Sequence, residues 1–150
     1  METSNSFPDS FHRVTIKGIC VRDGKILLMK ESAALGGQWE LPGGGLDFGE
    51  EIRAGFEREV REEMGITVAN FSKNPVYVWT YKFVGRRNLD WYYAFIVAYR
   101  VEFENLNFKP TDECEKLQFF SKEELKDIVL NEQMEELLEI FNPEDFQDNF

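Results

Sequence analysis

Glu59, Glu62 and Glu63 are the side chains of this 150-residue chain whose types and spacing could do chemistry. They lie in the stretch Gly43 to Ile66, GGGLDFGEEIRAGFEREVREEMGI, where a glycine run meets an acidic segment. Stepping about 100° per residue from Ile52 to Met64 puts Ile52, Phe56, Val60 and Met64 on one apolar arc, the side that faces a core. Glu57 and Arg61 fall on the far side as a solvated pair. Glu59, Glu62 and Glu63 border the apolar arc, with Gly55 among them. Glu57–Arg61 and Arg58–Glu62 are opposite charges four apart, each stabilising a helix by roughly 0.2–0.5 kcal/mol. Glu59 and Glu63 are like charges four apart, and half-turned toward a core an ionised carboxylate is costly. A divalent cation such as Mg²⁺ resolves both difficulties, because hard oxygens are its preferred ligands. A charged surface helix is the competing reading, and it leaves the placement of Glu59 and Glu63 unexplained.

The spacing is more specific than the charge pattern. Written G-x5-E-x7-R-E-U-x-E-E-x-G-U, with U a bulky aliphatic, it is met at Gly44, Glu50, Arg58, Glu59, Val60, Glu62, Glu63, Gly65 and Ile66. This resembles the Nudix box, and Trp39-Glu40-Leu41-Pro42-Gly43-Gly44 resembles its usual lead-in. The resemblance implies an α/β protein of the Nudix fold, an α/β/α sandwich with a mixed β-sheet. It also implies hydrolysis of the pyrophosphate in a nucleoside diphosphate linked to another moiety, with Mg²⁺ or Mn²⁺ as cofactor. By the same resemblance Glu59 and Glu63 are the first-choice metal ligands, followed by Glu62, and the Gly43 carbonyl is a further one. Arg58 pairs with Glu50 and orients the helix. The general base is either Glu59 or an acid from the loop before the last strand. Glu113 fits that loop position, with Asp112 and Glu115 as rivals. Glu51 lies outside the pattern and reads as solvated.

Substrate choice stays open at this level. Gly43 and Gly44 have no Cβ and let a phosphate approach the backbone. Tyr81 stands near where family members acting on dinucleoside polyphosphates carry a tyrosine, although it equally suits a strand core. The proline that ADP-ribose hydrolases tend to carry there is absent, and no NADH-type downstream motif occurs. Nucleoside triphosphates, oxidised nucleotides, dinucleoside polyphosphates and nucleotide sugars remain. A non-catalytic Nudix domain that senses a nucleotide is the alternative function. Degraded boxes and fused DNA-binding domains usually accompany that alternative.

The rest of the chain must position these groups. Its length suits a single domain over residues 1–150, with 1–10 and 142–150 as loose ends, and 14 Phe suffice for a core without staples. A net charge of −11 repels large nucleic acids but allows a small phosphorylated substrate held by metal and a few Arg or Lys. No run of 18 apolar residues predicts a membrane span, and METSNSFPDS lacks the features of a signal peptide. Cys20 and Cys114 lack metal-ligand spacing and read as buried thiols, which points to the cytoplasm. The expected partners are a small nucleotide and, within the assemblies allowed, a second copy in a homodimer.

Strands are expected at His12 to Arg22 and Lys25 to Lys30, joined by an Asp23-Gly24 hairpin turn, and at Trp39 to Leu41. After the helix, ended by Gly65 as a left-handed stop, Val76 to Val84 and Leu89 to Phe103 are β-branched and aromatic. Gly85-Arg86-Arg87-Asn88 joins them as a hairpin whose arginines could reach phosphates. Lys116 to Phe120 is a further strand. Ser121 with Glu124 forms a capping box opening an amphipathic helix whose stripe runs from Leu125 to Phe141, with a break at Asn131.

Overall fold

The computed structural model describes residues 10–85, 89–148 and 150. Nine elements carry the site: β1 His12–Ile19, β2 Val21–Arg22, β3 Lys25–Glu31, β4 Trp39–Glu40, β5 Gly43–Gly45, α1 Ile52–Met64, β6 Val68–Val84, β7 Trp91–Phe103 and β8 Cys114–Phe120. Asp23 and Gly24 adopt φ of 52° and 76°, so the expected two-residue turn joins β2 to β3. Cys20 separates β1 from β2, dividing the single strand expected over His12 to Arg22.

Two four-stranded sheets form. The mixed one runs β5-β1-β7-β6, with β1 parallel to β7 and the other pairs antiparallel. The second joins β2, β3 and β4, with β8 also paired to β3. Alternate residues of one strand serve opposite faces. Ile26 and Leu28 enter one core cluster with Ile96, Leu125 and Phe141, while Leu27 and Met29 enter another with Phe56, Val60 and Val101. The second cluster lies beneath α1, and the first lies beneath the C-terminal segment. These layers are those of an α/β fold with a mixed sheet.

Three expectations are corrected. β6 begins at Val68, eight residues before the expected Val76. Its first half pairs with β7 through register shifts around Pro75, and Ser72-Lys73-Asn74-Pro75 offers no β-branched or aromatic residue to signal a strand. The long helix after Ser121 does not form. The capping box is present, with Ser121 N–H donating to Glu124 and Glu124 N–H to the Ser121 hydroxyl, both within 3.2 Å. Yet it opens only a 3₁₀ turn at Glu124–Asp127, followed by 3₁₀ turns at Glu132–Met134 and Pro143–Phe146 and one helical turn, α2, at Leu137–Ile140. Asn131 breaks the run because its side chain accepts the Gln133 N–H, and the neighbouring Leu130 bridges Trp39. The tail expected to be loose from residue 142 is instead tied down by Phe146, which is 5% exposed and packs against Tyr77 and Phe141. The tip residues Arg86, Arg87 and Asn88 lie outside the described residues. No described helix is long and apolar enough to cross a membrane.

Candidate active site

α1 forms where its pattern places it, and both ends are capped. Glu51, expected to be merely solvated, is the N-cap and accepts from Arg53 N–H and Ala54 N–H at 3.2 and 2.9 Å. Gly65 closes the helix at φ 67°. Phe56, Val60 and Met64 are buried as expected, while Ile52 at the first turn is 38% exposed.

β5 brings the glycine run to this helix. Its register on β1 sets Gly43 opposite Lys17 and Gly45 opposite Thr15. Gly43 has φ 116°, a conformation L side chains rarely adopt, and its N–H donates to Glu63 Oε1 at 3.0 Å. A Cβ at Gly44 would stand 2.6 Å from Glu59 Oε2, so the glycine is what lets that carboxylate lie against the turn. A Cβ at Gly55 would meet Leu46 Cδ1 at 2.7 Å and Glu50 Oε1 at 2.8 Å. The loop after β5 therefore packs directly on the helix backbone, which accounts for a residue costing about 1 kcal/mol in a helix interior.

Arg58 locks that loop in place. Its Nε and Nη2 donate to the two Glu50 oxygens at 2.8 and 3.0 Å, and Nη2 also reaches the Gly45 carbonyl at 3.2 Å. Nη1 donates to Glu59 Oε1 at 3.0 Å, orienting the carboxylate from the helix side. Paired with Arg58, the Glu50 carboxyl is held down at about 2, and the guanidinium is raised in turn.

Glu63 is 6% exposed. Burial pushes its carboxyl up to about 8, against the offsetting charge of Lys17 and with Glu40 and Glu59 adding to the rise. Lys17 was missed by the sequence reading, although it interrupts an apolar strand. Only 2% exposed, it donates from Nζ to the Gly43 and Leu41 carbonyls at 2.7 and 3.2 Å and lies 3.9 Å from Glu40. The Gly43 oxygen expected to face a metal thus accepts from an ammonium here. Glu62 is more open, with its side chain 52% exposed and 3.4 Å from Arg58 Nη1.

A cleft of about 250 Å³ collects Arg13, Lys17, Glu40, Glu59 and Glu63, together with the three glycines and the rings of Phe83 and Tyr92. Glu113 is exposed on the loop before β8. Its carboxyl is raised by desolvation and then by the charges of Glu59 and Glu62, and its loop is tied to the helix by the Thr111 hydroxyl, which donates to the Glu63 carbonyl at 2.6 Å. Its rival Glu115 pairs with Lys30 at 3.8 Å. Tyr81 lines a neighbouring cavity of about 230 Å³ and donates its hydroxyl to Glu132 at 2.6 Å. Phe83 and Asn131 border both spaces.

Among the described residues, no three acidic, imidazole or thiol groups converge on one point. The donor chemistry nonetheless suits a hard divalent ion. Glu63 is a buried acid raised by its burial, and Glu59 lies on bare backbone beside it; both line the cleft. The raised carboxyl carries a prediction for the metal-free protein. A folded-state value above the ordinary 4.5 means that the folded chain holds the proton more tightly, so stability is full below about pH 4.5 and declines toward pH 8. Thermal midpoints in EDTA should fall across that window, and Glu63→Gln should flatten the decline. An unchanged slope in the variant would contradict the buried, proton-retaining state of Glu63.

A family model of the NUDIX domain matches residues 12–141. Over 58 residues, 38% of the chain, it is 47% identical to a MutT-like protein of Streptomyces ambofaciens, covering 36% of that protein. It is 36% identical over 63 residues, 41% of the chain, to a putative 8-oxo-dGTP diphosphatase 2 of Mycobacterium tuberculosis, covering 45% of it. It is 41% identical over 56 residues, 35% of the chain, to the nucleoside triphosphatase NudI of Escherichia coli, covering 40% of it. The matched stretch thus spans less than half the length of these relatives. Similar solved structures extend further. The ORF135 protein of E. coli superposes with TM-score 0.65 at 27% identity, over 90% of this chain and 91% of that one. A MutT NUDIX hydrolase from Burkholderia pseudomallei gives TM-score 0.63 at 27% identity, over 89% and 100%. With the glycine turn, the capped helix and the Arg58–Glu50 pair in their places, the chain belongs to the Nudix family.

Proposed function

We propose that the chain is a divalent-metal-dependent hydrolase that cuts the pyrophosphate linkage of small nucleotides, with nucleoside triphosphates as its substrate class. One observation carries the reading: Glu63, buried, and Glu59, set on bare glycine backbone, line a cleft of about 250 Å³. The two relatives named as acting on nucleoside triphosphates support the substrate class. A cytoplasmic site of action belongs to the same reading, supported by two free, buried thiols at Cys20 and Cys114.

Glu59 and Glu63 would hold Mg²⁺ or Mn²⁺, with Glu62 adding a carboxylate from the exposed side, while the Gly43 carbonyl is engaged by the Lys17 ammonium. An ion held there would supply neutralisation of phosphate charge and acidification of water. Arg58 keeps the Glu59 carboxylate turned to the cleft while Glu50 anchors the guanidinium. Gly43 and Gly44 line the cleft where the phosphates would lie, and the missing side chains make room for the Ile16 carbonyl and for the Glu59 carboxylate. Glu113 would take the proton from the attacking water, its carboxyl raised by desolvation and by the charges of Glu59 and Glu62.

Phosphate or pyrophosphate release from a panel of nucleoside triphosphates, dinucleoside polyphosphates and nucleotide sugars tests this. Turnover of the triphosphates should require Mg²⁺ or Mn²⁺ and stop in EDTA. Binding without metal-dependent turnover of any member would replace the enzyme with a nucleotide sensor.

A further inference from the structure

An acidic chain that takes a polyanion needs cations placed where the polyanion lies. Arg13, Thr15 and Lys17 are alternate residues of β1 and all line the cleft, as the two-residue period of a strand dictates. Lys17, at the inner end, directs its ammonium to the Gly43 and Leu41 carbonyls, which fixes it as a fastening of the glycine turn. Arg58 gives its guanidinium to the carboxylates and carbonyl described above. Arg13 stands at the outer end of the row, beside Gly45 rather than Gly43.

The position of that guanidinium depends on a missing side chain. A Cβ at Gly45 would fall on the Arg13 head group, 2.7 Å from Cζ and 2.8 Å from Nε, with Nη2 closer still. Gly45 has no left-handed backbone to explain it. Its lack of a Cβ opens a seat for the guanidinium on the cleft wall, in the same strand that offers Gly44 to Glu59. A planar guanidinium beside bare backbone, on the border of an acid-lined cleft, is suited to bidentate contact with phosphate oxygens.

We infer that Arg13 is a phosphate-binding residue of this cleft, holding the terminal phosphates of a polyphosphate substrate from a seat that Gly45 leaves open. In that reading Glu59 and Glu63 would hold the ion beside the phosphate that is attacked, and Arg13 takes charge farther along the chain of phosphates. The inference rests on the hydrolase reading for the word substrate, and its test does not use turnover.

Calorimetric titration with inorganic pyrophosphate in Mg²⁺ compares wild type with Arg13→Ala, Arg13→Lys and Gly45→Ala. Arg13→Ala should weaken binding by about tenfold or more, with Arg13→Lys between it and wild type. Gly45→Ala keeps the charge but displaces the guanidinium, and should weaken binding as Arg13→Ala does. Binding of an uncharged nucleoside should move by less than about twofold in every variant, because that ligand brings no phosphate to the arginine. No affinity of wild type for pyrophosphate, equal affinity in Arg13→Ala, or a matching loss for the nucleoside would each overturn the assignment. Wild-type affinity in Gly45→Ala would overturn the seat. Arginine-dependent pyrophosphate binding in a chain that hydrolyses nothing would keep this inference and remove the enzyme reading.

Discussion

Glu59→Gln and Glu63→Gln should each lower turnover by roughly 100-fold or more while leaving the fold intact. Glutamine keeps the shape of both side chains and removes the charge. At Glu63 the contact from the Gly43 N–H needs only an acceptor, and a glutamine carbonyl supplies one. The burial that raises the Glu63 carboxyl also means that a neutral side chain costs less there than a carboxylate. Stability in EDTA at neutral pH should therefore hold or rise in this variant while activity falls. At Glu59 the substitution removes the charge partner of Arg58 Nη1, but Glu50 still grips the same guanidinium through two contacts. Steady-state rates beside thermal midpoints separate the two effects. Near-wild-type turnover in either variant would remove that glutamate from the machinery.

Adjacent glycines should fail in opposite ways. Gly43→Ala should cost about 3 kcal/mol or more of stability. Its φ of 116° is strained for alanine, and the new Cβ would collide with the Ile16 backbone carbonyl and lie 3.1 Å from Lys17 Cα and Phe56 Cδ1. Strand backbone and a buried ring cannot swing aside. The thermal midpoint should drop by at least about 6 °C, given about 2–4 °C per kcal/mol in a domain of this size. At Gly44 the obstacle is the carboxylate of Glu59, the end of a flexible side chain. Gly44→Ala should fold with a midpoint close to wild type and lose turnover about tenfold or more, because the carboxylate is pushed from its place. A Gly43→Ala protein as stable as wild type would contradict the backbone geometry of the turn.

The sequence made the helix legible because its apolar arc, acidic border and terminal glycine all agree on one register. Phe56, Val60 and Met64 are buried and Gly65 is left-handed as that register requires. The Arg58–Glu50 pair came from motif spacing and is present as a two-contact bridge. Contacts between distant strands were not legible. Nothing in VTIKG shows that Lys17 will turn inward to two carbonyls of a glycine turn more than twenty residues away. Glu51 was read as solvated because its role as a cap depends on where the helix begins, not on the motif. The C-terminal stripe from Leu125 to Phe141 has helical spacing, yet buried Asn131 and its local hydrogen bond break it into turns. In β6, Pro75 and its polar neighbours hid a strand that the adjoining β7 holds through its irregular register. Local pattern located the helix and its acids. Tertiary contact decided the elements around it.

Binding of Mn²⁺ followed by the loss of its free-ion electron paramagnetic resonance signal tests the central claim most directly. Wild type should bind the ion without any nucleotide, and Glu59→Gln and Glu63→Gln should each bind it about tenfold more weakly or worse. Equal Mn²⁺ affinity in wild type and both variants would show that these two carboxylates do not hold the metal.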